Sequence, residues 1–413
     1  MSTQHSALNR RTLLGSAGLA VGAAAVSPLL SACGAPSSGT SSGSTPVASL
    51  AATPKSPVTL NILDVAGNLA LTKPAIETFK SAHPEIVSTI TYTTGTAPNV
   101  PAKLKAEQGG GNVQTSLVLT GTDALASGIT DGLYLDLKTY YPRFFPGLMA
   151  NYQTAAANMA TLAQDQGIEI VWYPSGPLIE YNPAVVKSPP TTTDDLLSWA
   201  QANPGRYQYA QPRNSGPGRT WLMGLPYLLG DSDPTDPTNG WSKTWAYLTE
   251  LNKYVSQYPS GTSATMKNIA SGTVDIIAST TGWYINGRAI GTVPKAISVA
   301  KFQNLTWVTD AQFGVIPKGV SDDVLIASMR LLAYILTPAA QAVTYDKGYF
   351  YPGPAIKGVS ISQAPASSQQ TIQEYGVPAF DQWMTQYPMK NSLPATAQVT
   401  AFDLWDKNIG STK

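Results

Sequence analysis

The chain has 413 residues, 43% of them hydrophobic and 9 of them tryptophan, with 26 basic and 25 acidic side chains, two histidines and one cysteine. That is enough apolar material for a folded body, and the balanced charge lacks the strongly basic face that nucleic acid requires. A single cysteine excludes an internal disulfide, and the two histidines, His5 and His83, are too few for a metal-binding His cluster. No metal or cofactor is expected.

Residues 1–8 carry no acid or lysine; Arg10 and Arg11 follow, then a weakly apolar stretch from Leu13 to Leu30 interrupted by Gly15, Gly18, Gly22 and Pro28. This is the order of a secretory signal, and it falls short of the ~20 strongly apolar residues that a spanning helix needs. The arginine pair resembles a twin-arginine export signal, but Thr12-Leu13-Leu14 follows it, so twin-arginine and general export both stay open. Leu30-Ser31-Ala32-Cys33 resembles a bacterial lipobox. A signal peptide over 1–32 and lipidation of Cys33 follow from that resemblance, and two acyl chains suffice for stable anchoring. Removal of 1–32 would take Arg10, Arg11 and His5, leaving 24 basic against 25 acidic residues and His83 as the lone histidine. A Ser-His-Asp triad then rests on a histidine beside Pro84 at a helix end, where a solvated cap is the simpler role. Residues 33–56 form a Gly, Ser, Thr, Pro and Ala-rich linker, a composition unable to bury enough surface to fold.

The body from about Pro57 exceeds the ~250–300 residues at which a single core stops growing, so two lobes are expected. Val58–Leu63 is a strand candidate, and "TKPAIETFKSAHP" a helix with Thr72 as N-cap and Pro84 as its stop. "STITYTT" and "TSLVLT" are further strands around a short Lys-rich helix closed by Gly109-Gly110-Gly111. "GIEIVWYPSGPLIEYNP" holds two extended runs, and Thr191 and Asp194 can form a capping box for the helix that ends at Asn203-Pro204-Gly205. Trp241, Trp245, Leu248 and Val255 mark one face of another helix; "TVDIIAS" is a buried strand; Ser321 opens a helix stopped by Pro338. This alternation predicts an α/β fold with a largely parallel sheet.

Catalytic motifs fail on context. Gly39–Gly43 matches G-x-S-x-G, but within linker, and Ser298–Lys301 matches S-x-x-K without the S-D-N or K-T-G that accompany it. Asp231, Asp233 and Asp236 lack the spacing and closing Glu of a calcium loop and are better read as turn residues. "SGPGRT", Ser215–Thr220, opens a helix whose first N–H groups, with Arg219, can hold an anionic group of a ligand or simply start the helix. Ligands of open α/β sheets sit beyond the carboxyl ends of strands, which singles out Asn68, Thr122, Asp123, Trp172, Tyr173, Ser175, Trp283 and Tyr284, beside Ser215, Gly216 and Arg219 of that helix start. Each tryptophan is a candidate for core or cleft.

Five stretches in order are similar to bacterial extracellular solute-binding proteins of ABC importers, nearer the polyamine, thiamine and iron branch. "VTLNILDVAGN…AIETFKSAHPEI" resembles their first strand and helix. "IEYNPAVVKSPPTTTDDLLSWAQANPG" resembles the hinge strand and second-lobe entry. "SGTVDIIASTTGWY" resembles the strand and loop that close over ligand. "FGVIPKGVSDDVLIASMRLLAYILTPAAQAVTYDKGYFYP" resembles the return crossing and the helix after it. The resemblance implies a two-lobed fold with hinge strands and a ligand cleft, lobe 1 over 57–175 and about 310–340, lobe 2 over 176–309 with 341–413 packing mainly on it. It also implies a non-enzymatic, monomeric, membrane-anchored receptor at the outer face of the cell envelope. Its partners would be a permease and a small solute (polyamine, thiamine-like cation or sugar), with Asp123 meeting a cation and Trp283 and Tyr284 stacking on it. The alternative is a secreted α/β hydrolase.

Overall fold

The computed structural model describes residues 50–413; the expected signal, Cys33 and the linker as far as Ser49 lie outside the described residues. The first strand, β1 (Val58–Asp64), turns Leu60 and Ile62 fully inward, as its run of β-branched and aliphatic residues requires. Ten more strands follow: β2 (Val87–Thr94), β3 (Leu117–Gly121), β4 (Ile168–Gly176), β5 (Leu178–Tyr181), β6 (Tyr207–Gln208), β7 (Ile276–Ser279), β8 (Ser298–Lys301), β9 (Trp307–Val315), β10 (Gly353–Pro354) and β11 (Met389–Asn391). They form two sheets. The first has the order β10-β4-β9-β3-β1-β2 with β11 added on β9; the second runs β6-β7-β5-β8.

The first sheet is mixed rather than largely parallel. β1 pairs parallel with β2 and β3, but β9 is antiparallel to both β3 and β4. β4 leaves the first lobe and enters the second at Gly176-Pro177, and β9 returns, so the two crossing strands must run in opposite directions. Both are buried along their whole length. A strand covered on both faces reads as one apolar run and carries no mark of its direction.

The longer helices, numbered in chain order, are α1 (Leu69–Ala82), α2 (Val100–Gly109), α3 (Thr122–Thr130), α4 (Thr193–Ala202), α5 (Gly216–Leu229), α6 (Ser242–Asn252), α7 (Thr262–Ala270), α8 (Thr281–Ala289), α9 (Asp322–Ile335), α10 (Ala366–Tyr375), α11 (Pro378–Gln386) and α12 (Ala395–Asn408). α1 starts before Thr72, because the Asp64 carboxylate accepts the N–H groups of Ala66, Asn68 and Leu69 and so anchors the first turn. The capping box of α4 is Thr192 with Asp195, one residue on from the expected pair. Asp195 also accepts from the Thr191 hydroxyl, which is why either threonine reads as the cap. Ser321 caps α9 as expected, accepting from the Val324 N–H.

Each sheet has its own core: Phe79, Leu104, Ile168 and Leu331 belong to the first, Trp221, Trp241, Leu248 and Phe302 to the second. The tail after 341 divides between them. β10 and β11 join the first sheet, and Gln398 of α12 donates to the Thr122 carbonyl of the first lobe. Farther along α12, Phe402 and Trp405 enter the second core, with Trp405 Nε1 donating to the Tyr209 hydroxyl. Residues 50–56, expected to be linker, lie on the body: Leu50 is buried, and Arg143 and Arg330 donate to the carbonyls of Leu50 and Ala52. Leu50 is the large apolar residue of that stretch, and it finds core to bury in. No described helix is long and apolar enough to cross a membrane.

Candidate functional site

A cavity of about 450 Å³ opens where the two chain crossings meet, walled by both lobes. On the first-lobe side, the Asp64 carboxylate pins the loop after β1 and sets Val65 and Ala66 on the wall. Burial pushes the Asp64 pKa up in spite of the N–H groups of Ala66, Asn68 and Leu69 that it accepts. Beyond β3, Gly121 and Asp123 face the cavity, whereas Thr122 between them is buried and donates its hydroxyl to Asp310 of β9 at 3.2 Å. Of two neighbours on β4, both packed in the first core, Tyr173 also reaches the wall and Trp172 does not.

The second-lobe wall is made of helix starts. Ser215 caps α5, its Oγ accepting the Gly218 N–H at 3.1 Å and sharing a 2.8 Å bond with the Thr262 hydroxyl at the start of α7. Gly218 is needed here because a Cβ would sit 2.2 Å from the Ala210 carbonyl oxygen. One residue on, Arg219 reaches across to the first lobe. Its Nη1 donates to Asp123 at 2.9 Å and its Nη2 to Asp310 at 2.5 Å, while the Tyr173 hydroxyl donates to Asp310 at 3.1 Å. Burial works to lower the Arg219 pKa, but Asp310 and Asp123 outweigh it and the guanidinium stays charged. Removing one partner of such a buried pair costs about 3–5 kcal/mol, because the other charge is left uncompensated.

Trp283, in the first turn of α8, meets Tyr349 edge to face, with ring centroids 5.1 Å apart. Gly282 beside it permits a still closer approach, since a Cβ there would lie 2.0 Å from the Tyr349 carbonyl oxygen. Tyr284 turns the other way, into its own lobe. It is buried, donates to the Ile297 carbonyl and carries the Arg288 guanidinium 3.7 Å above its ring.

Of the eleven residues singled out from sequence, Asp123, Tyr173, Ser215, Gly216, Arg219 and Trp283 line the cavity. Five do not. Asn68 is fully buried and accepts from Thr72, Ser175 shares a 2.8 Å bond with the Thr220 hydroxyl beneath α5, and Thr122, Trp172 and Tyr284 are placed as described above. The reason is the same for most of them: consecutive residues at a strand end or in a helical turn point to opposite sides, so only part of each run reaches the cleft. Asp123 is present, but its carboxylate is already engaged by Arg219 and by the Ala124 N–H.

Sequence reasoning missed the start of α7 with the two residues before it, Ser260–Lys267, together with Gln312 and the aromatic pair Tyr349-Phe350. The first carried a usable signal, because "SGTSATMK" has the same Gly and hydroxyl start as "SGPGRT". Gln312 had only its polarity within a buried strand that also holds Thr309 and Asp310. The Asp-rich loop proves structural: Asp231 accepts from Lys243 and Thr244 at the start of α6, and Asp233 and Asp236 close turns. No cluster of three metal-ligating side chains occurs among the described residues.

A family model described as bacterial extracellular solute-binding protein matches residues 74–372. No curated protein sequence matches. Among solved structures, one titled a spermidine/putrescine ABC transporter from Listeria monocytogenes superposes with a TM-score of 0.60 at 13% identity, covering 85% of this chain and 98% of that one. A periplasmic thiamin binding protein gives 0.59 at 14%, covering 86% and 96%. The binding protein AfuA of Actinobacillus pleuropneumoniae, titled with fructose-6-phosphate bound, gives 0.62 at 16%, covering 85% and 98%. Identities this low speak for the two-lobed fold; the sequence model, matched over most of the chain, speaks for the family. The chain belongs to the bacterial extracellular solute-binding proteins.

Proposed function

We propose that this chain is a lipid-anchored, monomeric receptor that captures a small solute by closing its lobes around the cavity and hands it to the importer's permease. The observation that carries this reading is the wall itself. Both lobes contribute to it, around two chain crossings, and Arg219 of the second lobe forms ion pairs with Asp123 and Asp310 of the first. Contacts that exist only when the lobes are together favour the closed state, and a solute that touches both walls shifts the balance further. Asp123 then acts as a fastening for Arg219 rather than as the receptor of a solute cation. Trp283, with Tyr349 opposite, supplies flat apolar surface for the solute body. One solved neighbour is named a spermidine/putrescine transporter and another is described with fructose-6-phosphate bound, which supports a reading in which the wall and not the fold selects the solute.

The test is titration calorimetry with the solute that a thermal-shift screen selects, alongside melting curves and small-angle scattering. Trp283→Ala is expected to weaken binding about tenfold or more, about 1.4 kcal/mol per decade, with its melting temperature held. Tyr284→Ala, removing a buried ring, is expected to lower the melting temperature by the cost of a core truncation, about 3–5 kcal/mol for a large aromatic. Scattering is expected to show a smaller radius of gyration on binding. Unchanged affinity in Trp283→Ala together with no compaction would defeat the reading.

A further inference from the structure

We infer that the solute of this cleft is a small hydroxylated anion, a phosphate or carboxylate group carried on a polyol or sugar-like body; the inference rests on the receptor reading above. The anionic group belongs on the second-lobe wall, where α5 and α7 both begin. The N–H groups of Gly216, Thr262 and Ser263 have no acceptor among the described residues. Unsatisfied first-turn donors and the positive end of the helix dipole together favour negative charge. An independent observation lies beside them. Arg219 is 4% exposed, its guanidinium borders the cavity next to Gly121 and Gly216, and its Nε has no partner. Lys267, within α7, adds an ammonium on the wall with no ion-pair partner among the described residues, and Ser260 and Ser263 add hydroxyls.

The opposing charge is already used. Asp123 is the carboxylate on this wall, and both its oxygens are occupied, by Arg219 Nη1 and by the Ala124 N–H. Asp310 behind it is fully buried, engaged by Arg219, Tyr173 and Thr122. Asp346 lies beyond Trp283 and Tyr349, in an adjoining compartment of about 420 Å³. A cationic solute would meet Lys267 and no free carboxylate. On the first-lobe wall the need is reversed: Gln312 donates its amide to the Ala66 carbonyl at 2.9 Å, and its buried Oε1 has no donor. A solute hydroxyl supplies one. The anionic end and the hydroxylated end thus face different lobes, which couples this solute to closure.

Thermal-shift and calorimetric titrations of the full chain with glucose 6-phosphate, glucuronate, glucose and putrescine test the inference. Glucose 6-phosphate or glucuronate is expected to bind, the better of the two naming the head group as phosphate or carboxylate, and glucose and putrescine are expected to bind at least about tenfold more weakly. Lys267→Gln is expected to weaken the anion about tenfold, and Lys267→Arg to retain it; the exposed position leaves the melting temperature unmoved in both. Tighter binding of glucose or putrescine, abolished by Trp283→Ala, overturns the anionic assignment and leaves the receptor reading standing. Absence of binding by both anions at millimolar concentration also overturns it, as does an anion affinity indifferent to Lys267→Gln.

Discussion

Two glutamates sit where the fold has no use for their charge. Glu169 of β4 is fully buried with neither carboxylate oxygen hydrogen-bonded, and burial pushes its pKa well up. Glu180 of β5 is pushed up to about 7 by burial, against the Ser279 hydroxyl that it accepts and the nearby Arg288. Both folded values lie above the unfolded one, so between the two the native state holds the extra proton. Stability from these groups is therefore present in the ordinary glutamate range and is lost as pH rises, through about 7 for Glu180. Each unit of offset is worth about 1.4 kcal/mol. The melting temperatures of Glu169→Gln and Glu180→Gln are expected to pull ahead of the parent as pH rises from about 5 to about 8. Scanning calorimetry across that range checks it, and a gap that does not widen with pH contradicts it. Neither glutamate was distinguishable from a solvated one in sequence, because a polar letter in a strand carries no record of what covers it.

At the scale of elements, the cleft is a meeting of helix starts with strand ends. "SGPGRT" announced α5 through its serine cap and glycines, whereas α7, with the same kind of start, turned out to share a hydroxyl bond with it. Their adjacency is tertiary, since about 45 residues separate them along the chain. The start of α8 is defined by Gly282, whose missing Cβ lets the helix touch the Tyr349 backbone, while Thr281 donates to the Tyr351 carbonyl. Gly282→Ala is expected to hold the lobes apart, because the neighbouring atoms are backbone and cannot give way cheaply. Solute affinity should fall about tenfold or more, while α8 itself loses nothing in helix propensity. Scattering is expected to show a variant more open than the parent in saturating solute; full affinity with full compaction would refute this.

At the scale of the whole molecule, two sheets with separate cores are joined at Gly176-Pro177 and between β8 and β9, and α12 makes contacts with both. The proposed capture and release needs such a body to move as lobes rather than as one block. Its residence beside a permease is proposed through Cys33, on the lipobox resemblance of Leu30-Ser31-Ala32-Cys33. Cys33→Ser is expected to move the protein from the membrane fraction to the soluble fraction after export, with solute affinity unchanged. Retention of the variant on membranes washed in high salt would exclude lipidation as the anchor.

What the sequence determined by itself was local or cumulative. Helix caps such as Ser321, the strand "TVDIIAS", the length that demands two cores and the ordered stretches that resemble a family are all read along the chain, where near neighbours decide the outcome. Tertiary structure decided everything that depends on facing. Tyr173 and Trp172 both pack in the first core, but only Tyr173 also reaches the cleft, because a strand turns successive side chains apart. Asp123 proved to be engaged only because Arg219, 96 residues away, folds against it. A carboxylate's letter shows its charge, but only the fold shows whether that charge is already answered.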